Sequence, residues 1–514
     1  MSAKSRLWLP SIADVVFICV LLITLFKGGN ELLGDADTGY HIRTGEYILN
    51  HHTVPTHDIF SFITPPLPWF AHEWLSEVIM AWVHQLGGLT AIVIFFSLLI
   101  ALCYALLFKF VESLPSNLLF GLLIVALALT SSWLHWLARP HIFSLVLTVL
   151  WYRILDEYQN TGRNRLLLLP ALMLLWVNLH GGFFLGLLLL GIYLGGNVLS
   201  SLFATGQDAD QAKRKLHKLA IFALACIAVS LINPRGYEVL LYPFEIASNK
   251  FVTANVVEYF SPNFHDPLPY KYLLLVAIGI LVVSRSVGAI EWMLLLLLTY
   301  MSLYSVRFIP LFAIIVTPIL ARGGQAIIDR LSDRLRKFFA TRDENLRENN
   351  GVAAGYVWPI VTIVVVFALA AGGKIHYGFD PAIKPVAAVE FLKKEPIGGK
   401  VFNDDEFGDY LIYAAWSQYK VFFDGRSDMY GEFWGEQYTA VTRLKPNWEE
   451  VTEKNNFSWI FFGAKTPLSL LLLEKKSWRL IYADKVANIF VKDIPENRAL
   501  IAKYPNVRPV ADAN

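Results

Sequence analysis

The sequence predicts a polytopic, all-α membrane domain over residues 1–372, followed by a small extracytoplasmic α/β domain over residues 373–514. Three observations support this prediction. The chain of 514 residues is 55% hydrophobic and only 17% charged, whereas soluble domains contain about a quarter charged residues. Apolar runs that approach or reach the thickness of a bilayer recur through the first part of the chain. After the last run, strand-like and helical patterns alternate.

About eleven transmembrane helices are predicted in the membrane domain. They are residues 11–27, 89–109, 117–137, 141–155, 165–180, 182–203, 217–232, 271–284, 288–304, 307–321 and 354–372. If the N-terminus is cytoplasmic, the basic clusters all fall in inner segments. These clusters are Lys4 and Arg6, then Arg153, Arg163 and Arg165, then residues 213–218, then residues 322–353. The positive-inside rule therefore places residues 28–88, 233–270 and 373–514 outside the cytoplasm.

The first outer loop, residues 28–88, is the one long polar segment among the first 200 residues. Apolar residues recur at helical spacing over 38–49 and over 74–86, and Gly87-Gly88 ends the second run. Both patterns are too short and too polar to span a bilayer, so we expect helices that lie in the membrane interface. The proline-rich stretch between them is expected to be extended.

The tail is predicted to be a small layered α/β structure. The segments KVFND, KVFFDG, SWIFFG, WRLIYAD and NIFVKD have the composition of strands, helical patterns cover 384–394, 406–416 and 466–476, and residues 478–492 form a closing hairpin. The tail contains no nucleophile elbow, phosphate-binding loop or dinucleotide fingerprint. It therefore offers no familiar catalytic motif of its own.

Two carboxylates, Asp35 and Asp37, follow the first span at the depth where a lipid-borne substrate presents its headgroup. Side chains two residues apart in an extended chain point to opposite faces. One of them can thus face a reaction centre while the other caps the helix over 38–49 or binds a cation. Asp37 also suits a purely structural N-cap. We expect Asp35 and Asp37 to be the catalytic candidates.

His72 and Glu73 precede the second interfacial helix. They could bind a divalent metal together with Asp35 or Asp37, or a protonated His72 could hold a phosphate. The alternative is that Glu73 only stabilises the helix start through the macrodipole. Glu77, one turn further on, is expected to be solvated.

Cationic side chains recur at the later outer turns. Arg139 and His141 flank Pro140, His180 lies at another turn, and Arg307 lies near the outer end of a span. The fork of an arginine suits the charge that gathers on a leaving phosphate. Snorkelling to lipid headgroups is the alternative for any one of them. As a group on one side of the membrane they favour an anion site.

Several of these segments together resemble a bacterial branch of the GT-C superfamily, membrane glycosyltransferases that use polyprenyl-phosphate sugars. The segments are GDADTGYHIRTGEYIL, VPTHDIFSF and WFAHEWLSEV in the first loop, the RPH, NLHGG and NPRG turns, and VFFDGRSDMYG in the tail. The resemblance covers nearly the whole chain. It implies an inverting hexosyl- or pentosyltransferase in which Asp35 or Asp37 acts as general base on an acceptor hydroxyl or aids attack on the sugar C1. The residues expected to bind donor phosphate or substrate are His41, Arg43, His72, Glu73, Arg139, His141, His180 and Arg307.

The resemblance also implies the cofactors and partners. Some superfamily members need a divalent metal, Mg or Mn, and the candidate ligands here are Asp35, Asp37 and Glu73. The expected partners are a polyprenyl-phosphate sugar, membrane lipids and an acceptor lipid, glycan or protein. The net charge of +2 argues against nucleic acid. The expected location is the bacterial inner membrane, with the N-terminus cytoplasmic and the tail periplasmic. The tail differs from the larger accessory domains of oligosaccharyltransferases, which argues against sequon recognition.

Two other classes of function remain open from the sequence. A transporter or flippase of lipid-linked glycans is disfavoured because the spans show no internal repeat and their charges cluster at the outer face. A non-catalytic envelope scaffold, with the tail recruiting partners, leaves the acidic cluster of the first loop unexplained.

Overall fold

The computed structural model of this chain describes residues 8–266, 269–283, 287–352 and 356–510. The chain divides into two compact units. The membrane unit comprises Met1–Gly29, Thr90–Pro243 and Val257–His376, and the loop–tail unit comprises Asn30–Leu89, Phe244–Val256 and Tyr377–Asn514. Lys4 and Arg6, which contributed to the predicted sidedness, lie outside the described residues.

The membrane unit contains a helix at the position of each predicted span. These helices are Ile12–Phe26, the part of Trp74–Glu112 from Thr90 onward, Leu118–Ser132, His141–Thr161, Leu168–Leu179, Phe183–Phe203, Gly206–Ser230, Pro269–Val283, Ala289–Tyr304, Ile309–Ile328 and Val357–Ala371. A further helix, Asp333–Val352, occupies the predicted basic inner loop. Periodicity and hydropathy thus located the helices at the predicted spans, but not Asp333–Val352.

Four helices among the described residues are long and apolar enough to cross a membrane: Trp74–Glu112, Leu118–His135, Phe183–Phe203 and Val306–Ile328. Five shorter apolar helices accompany them. Large apolar side chains such as Leu167 and Phe203 point outward, and hydrocarbon is the surrounding that accommodates them. The chain is therefore a multi-pass membrane protein. The count of eleven spans and the sidedness stay predictions.

Two tryptophans fix the part of the membrane unit that matters for the site. Trp151 on helix His141–Thr161 and Trp176 on helix Leu168–Leu179 are fully buried and pack edge to face, with ring centroids 5.9 Å apart. The Trp176 indole donates a 2.7 Å hydrogen bond to Ser144 Oγ. This packing places the start of helix His141–Thr161 beside the end of helix Leu168–Leu179.

A four-stranded sheet forms the centre of the tail. Its strands are β1 Lys400–Asn403, β2 Phe457–Gly463, β3 Trp478–Ala483 and β4 Ala487–Lys492, in the order β1-β2-β4-β3. β1 pairs with β2 in parallel, and the other pairs are antiparallel. The surrounding helices are Val386–Lys394, Asp405–Ala415, Ser427–Thr442, Trp448–Lys454, Pro467–Glu474 and Arg498–Lys503. The predicted α/β character and the β3–β4 hairpin are confirmed.

The strand predicted at KVFFDG is wrong. Only Val421 makes a β-bridge, and its partner is Ser61 of the first loop rather than a strand of the sheet. The Val421 amide donates to the Phe60 carbonyl at 3.1 Å, and the Phe62 amide donates to the Val421 carbonyl at 3.2 Å. The apolar pattern of this segment serves to dock the first loop.

The proline-rich stretch of the first loop inserts aromatic side chains into the tail. Phe60 is fully buried and meets Trp416 edge to face at 5.2 Å, while Phe62 stacks on Phe422 at 6.1 Å. Burying a phenylalanine side chain stabilises a fold by about 1.5–3 kcal/mol. The division drawn from the sequence placed residues 28–88 with the membrane domain, whereas residues 30–89 pack with the tail.

The two helices predicted in the first loop are present. The first is Asp37–His51, and the second is the start of Trp74–Glu112, which is interrupted at Gly87 and Gly88. Glycines allow the first helix to approach its neighbours closely: a Cβ on Gly45 would lie 1.9 Å from the Glu77 carbonyl oxygen, and one on Gly39 would lie 2.6 Å from Tyr413 Cβ. Their interfacial position in the membrane stays a prediction.

The interruption at Gly88 yields a first testable prediction. Gly88 has φ 62° and ψ −152°, a backbone region used almost only by glycine. We expect Gly88→Ala to lower the free energy of unfolding by about 1–3 kcal/mol, measured by chemical unfolding in detergent.

Gly191→Ala is the matched control. Gly191 lies inside helix Phe183–Phe203, and an added Cβ there meets nothing within 4 Å. Alanine is favoured over glycine inside a helix, so this variant should be neutral or more stable. Equal losses in the two variants would contradict backbone strain at Gly88.

Candidate functional site

The two first-loop aspartates lie at the start of helix Asp37–His51. The residue before the helix, Ala36, has no capping side chain, and Asp35 Oδ1 accepts a 2.9 Å hydrogen bond from the Asp37 amide. The cap-like contact therefore comes from Asp35, and Asp37 is not the N-cap that the structural alternative required. Asp35 is half-buried, and Asp37 is only 7% exposed.

The Asp37 carboxylate lies against a glycine of the tail. A Cβ on Gly425 would be 2.0 Å from Asp37 Oδ1 and 3.0 Å from Asp409 Oδ2. The Gly425 amide also donates to both carboxylate oxygens of Asp409 at 3.1 Å. Only glycine leaves room for this arrangement, which brings one carboxylate from the first loop and one from the tail to the same glycine.

This region is rich in carboxylates that lie close to one another. Burial raises the pKa of Asp409 well above its usual value, and the charge of Asp37 raises it further. Burial together with the neighbouring Asp405 and Glu406 raises the pKa of Asp404 to about 8. The charge of Asp35 also contributes to the raised pKa of Glu406, after burial. Crowded carboxylates of this kind cannot all ionise at neutral pH.

A buried arginine holds the first loop on the tail. Arg426 NH2 lies 2.8 Å from Asp58 Oδ1 of the loop and 2.6 Å from Asp424 Oδ2 of the tail. The Arg426 guanidinium also lies 4.9 Å from the Phe60 ring and 4.5 Å from the Trp69 ring, both in the loop. The Arg426 side chain is 1% exposed. We refer to Arg426, Asp58 and Asp424 as the Arg426 clasp.

The electrostatics of the clasp favour its ionised form. Burial by itself raises the pKa of Asp58, but the charge of Arg426 and hydrogen bonds from Ser61 and Phe60 hold that pKa below its usual value. The Tyr430 hydroxyl donates a 2.8 Å hydrogen bond to Asp424 Oδ2. The carboxylates are thus compensated by several donors, as buried charges require.

The predicted pair His72 and Glu73 belongs to a larger group with His41. His41 Nδ1 is 3.2 Å from Glu77 Oε1, and His41 Nε2 is 3.7 Å from Glu73 Oε2. His72 Nε2 is 3.6 Å from Glu73 Oε1. The expectation that Glu77 is solvated is wrong: it is 2% exposed, because the close packing at Gly45 puts its helix face against Asp37–His51.

Arg43 links the same first-loop helix to the tail. Its Nε donates a 2.8 Å hydrogen bond to the Tyr413 carbonyl, and its NH1 donates to Glu46 Oε2 at 2.5 Å. The guanidinium carbon lies 5.5 Å from the Tyr413 ring. These contacts give Arg43 a structural role in the loop–tail unit, and its role in substrate binding stays a prediction.

In the membrane unit, the predicted arginines Arg139 and Arg307 contact two adjacent residues, Glu258 and Tyr259. Arg139 NH1 donates a 2.8 Å hydrogen bond to Glu258 Oε1. Arg307 donates to the Tyr259 hydroxyl and lies 4.9 Å from the Tyr259 ring. Burial would raise the pKa of Glu258, but Arg139, with smaller contributions from His135 and Arg307, holds it far below its usual range. Glu258 and Tyr259 were not predicted from the sequence.

Two of the predicted histidines, His141 and His180, lie close together in the membrane unit. His141 Nε2 is 2.9 Å from the His135 carbonyl oxygen, and the His141 and His180 ring centroids are 6.5 Å apart. His180 Nδ1 accepts a 2.9 Å hydrogen bond from the Gly182 amide. A nitrogen that accepts from an amide carries no proton, so the proton of a neutral His180 is on Nε2. His135 was not predicted.

In the loop–tail unit, the residues that the sequence interpretation missed include Asp409, Asp424, Gly425 and Arg426. The signal was present, because VFFDGRSDMYG places ionisable residues directly after an apolar run. Nothing in the local pattern named their partners in the first loop. Among the described residues, no group of three or more His, Cys, Asp or Glu side chains has an arrangement that would hold a metal ion. Metal binding by Asp35, Asp37 and Glu73 stays a prediction.

Comparisons with known proteins bear on the fold. No protein-family model matches the sequence, and no curated protein matches it. The structure is similar to the crystal structure of ArnT from Cupriavidus metallidurans bound to undecaprenyl phosphate, with a TM-score of 0.50 and 13% sequence identity. The similarity covers 94% of this chain and 97% of that chain. It shows that this chain has a fold like that of this ArnT structure over nearly its whole length.

The Arg426 clasp yields a second testable prediction. Arg426→Gln leaves Asp58 and Asp424 buried without their cationic partner. Removing one member of a buried ion pair costs about 3–5 kcal/mol, so we expect a loss of that size in the free energy of unfolding, measured by denaturant titration in detergent.

Arg479→Gln provides the control within the same unit. Arg479 forms a surface ion pair with Asp493, with Nε 3.3 Å from Oδ2, and exposed pairs contribute only about 0–1 kcal/mol. If Arg426→Gln were no more destabilising than Arg479→Gln, the clasp would not hold the first loop.

Proposed function

We propose that this protein is an integral membrane glycosyltransferase. It moves a hexosyl or pentosyl group from a polyprenyl-phosphate donor to an acceptor lipid, glycan or protein outside the cytoplasm. The observation that supports this most is the likeness of nearly the whole chain to ArnT, whose crystal structure contains undecaprenyl phosphate. The charge bias of the loops supports an inner-membrane location with the tail on the periplasmic side.

The proposed reaction is a single inverting displacement. The oxygen of an acceptor hydroxyl attacks the anomeric carbon of the donor sugar, and the bond from that carbon to the phosphate oxygen breaks. The acceptor proton passes to a first-loop carboxylate, and the polyprenyl phosphate leaves with the electron pair. A positioned general base typically contributes about 10²–10⁴-fold to such a step.

Asp35 and Asp37 are the proposed bases, and their surroundings differ. Asp35 is the more exposed of the two, which favours direct contact with an acceptor. Asp37 is buried beside Asp409, whose pKa is raised by burial and by Asp37 itself. A proton retained on Asp409 allows Asp37 to stay ionised, and ionisation is the state that a base requires. Asp409 is therefore a proposed positioning residue for Asp37.

The cationic residues of the membrane unit are the proposed binders of the donor phosphate. Arg139, His141, His180 and Arg307 all belong to this unit. Arginine donors that remain ionised at every working pH suit a phosphate that gains charge as it leaves. Glu258, paired with Arg139, holds that side chain in place.

The remaining predicted residues have supporting roles in this proposal. In the loop–tail unit, His41 and His72 both lie near Glu73, and Arg43 donates to the Tyr413 carbonyl. These four residues are proposed to bind or orient the substrate. No step of the proposed transfer is assigned to a metal. A requirement for Mg or Mn stays a prediction, and EDTA added to the transfer assay tests it.

The catalytic assignment yields a third prediction. Asp35→Asn and Asp37→Asn should each reduce transfer by about 100-fold or more without loss of folded protein. The measurement uses proteoliposomes, native-membrane acceptors and a panel of radiolabelled undecaprenyl-phosphate hexoses and pentoses.

Glu31→Gln is the matched control, because Glu31 is an exposed carboxylate of the same loop, and it should retain full activity. Full activity in both aspartate variants would exclude the first loop as the catalytic centre.

The phosphate site yields a fourth prediction. Arg139→Gln should lower kcat about 100-fold, because it removes a donor to the developing charge. Arg139→Lys keeps the charge but loses the fork, and it should retain more activity than Arg139→Gln. Equal activities of the glutamine variant and the unsubstituted protein would assign Arg139 a purely structural pairing with Glu258.

A further inference from the structure

A cavity of about 580 Å³ in the membrane unit is not used by the proposed transfer. It lies between the last turns of helix His141–Thr161, the following connection and the start of helix Leu168–Leu179. Its polar lining consists of Arg153, Arg163, Arg165 and Glu157. Its other lining side chains are all aliphatic. We refer to it as the basic pocket.

The charge of the basic pocket favours an anion. Arg153 Nε donates a 2.8 Å hydrogen bond to Glu157 Oε1. Arg163 NH1 and Arg165 NH1 lie 3.8 and 3.7 Å from Glu157 Oε2, which is beyond hydrogen-bond distance. That oxygen is buried and makes no hydrogen bond to a described atom. Three guanidinium groups and one carboxylate leave the lining with an excess of two positive charges.

The aliphatic part of the basic pocket continues onto an exposed helix face. Leu168 and Leu172 line the cavity, and Leu175 follows one turn later on the same side of the helix. Leu168 is 50% exposed and Leu175 is 43% exposed. An inorganic anion would satisfy the arginines and leave this stripe uncovered. A lipid with a charged headgroup matches both features.

We propose that the basic pocket binds an anionic phospholipid. Arg163 and Arg165 contact the lipid phosphate, Arg153 is held beside them by Glu157, and an acyl chain lies along Leu168 and Leu172. Basic pockets between membrane helices recognise lipid headgroups in this way. The pocket lies at the end of helix His141–Thr161 and the start of helix Leu168–Leu179, whereas His141 and His180 lie at the other ends of these helices. A lipid bound in the pocket joins the two helices and so stabilises the arrangement of the proposed phosphate site.

The test compares lipid affinities of the delipidated full-length protein in a non-ionic detergent. The probes are dioctanoyl phosphatidylglycerol, dioctanoyl phosphatidylcholine and inorganic phosphate, with binding measured by isothermal titration calorimetry. We expect phosphatidylglycerol to bind more tightly than either of the others. A basic residue near an anionic lipid changes affinity about fivefold, so the double variant Arg163→Gln and Arg165→Gln should weaken phosphatidylglycerol binding about 25-fold.

A second double variant controls for charge and folding. Arg330→Gln with Arg334→Gln removes two exposed arginines that do not line the pocket and should leave phosphatidylglycerol affinity unchanged. Equal affinities for the two lipids, or an unchanged affinity in the pocket variant, would overturn the proposal. Inorganic phosphate binding as tightly as phosphatidylglycerol would also overturn it, because the site would then take a free anion. None of these results depends on sugar transfer.

Discussion

The buried contact of Arg426 with Asp58 and Asp424 is the interaction on which the loop–tail unit depends. It takes three charged groups out of water, which is costly unless each is compensated. Here one guanidinium serves two carboxylates, and the loop's aromatic rings cover its faces. The contact also sets which tail residues lie beside the first-loop carboxylates. With Arg426 held by Asp58, the preceding glycine lies under Asp37 and the Gly425 amide meets Asp409.

Three adjacent tail residues thus have three different tasks. Asp424 neutralises the arginine, Gly425 leaves space for a first-loop carboxylate, and Arg426 binds the loop. Arginines also have partners in the membrane unit, where Arg139 donates to the Glu258 carboxylate and Arg307 donates to the Tyr259 hydroxyl. Pairing keeps the energetic cost of ionisable groups low in the absence of substrate. In the proposed transfer, a donor phosphate at Arg139 or Arg307 would compete with these existing partners instead of entering an empty cationic site.

Most of the fold followed from periodicity and hydropathy, whereas the site followed only in part. The helices over Asp37–His51 and Leu168–Leu179 and the β3–β4 hairpin matched their patterns, because helical and strand periodicity is a local property of the sequence. The KVFFDG segment and Glu77 did not match. Val421 pairs with Ser61, and Glu77 meets His41. These contacts join segments distant in the chain, and a local pattern holds no information about such partners. The composition of the first loop identified Asp35 and Asp37, but not Asp409 or Arg426.

The packing of residues 30–89 with residues 377–514 has a consequence for biosynthesis. A ribosome makes the first loop before the tail that it packs against. At about 5–20 residues per second, the intervening chain takes about 15–60 s to synthesise. Throughout that interval Asp58 cannot contact Arg426 and Phe60 cannot contact Trp416, so the first loop lacks its tail contacts. A chain that terminates before the tail lacks Gly425 and Asp409, so Asp37 cannot pack against them. Premature termination anywhere before the tail therefore yields a membrane-inserted product without the loop–tail fold.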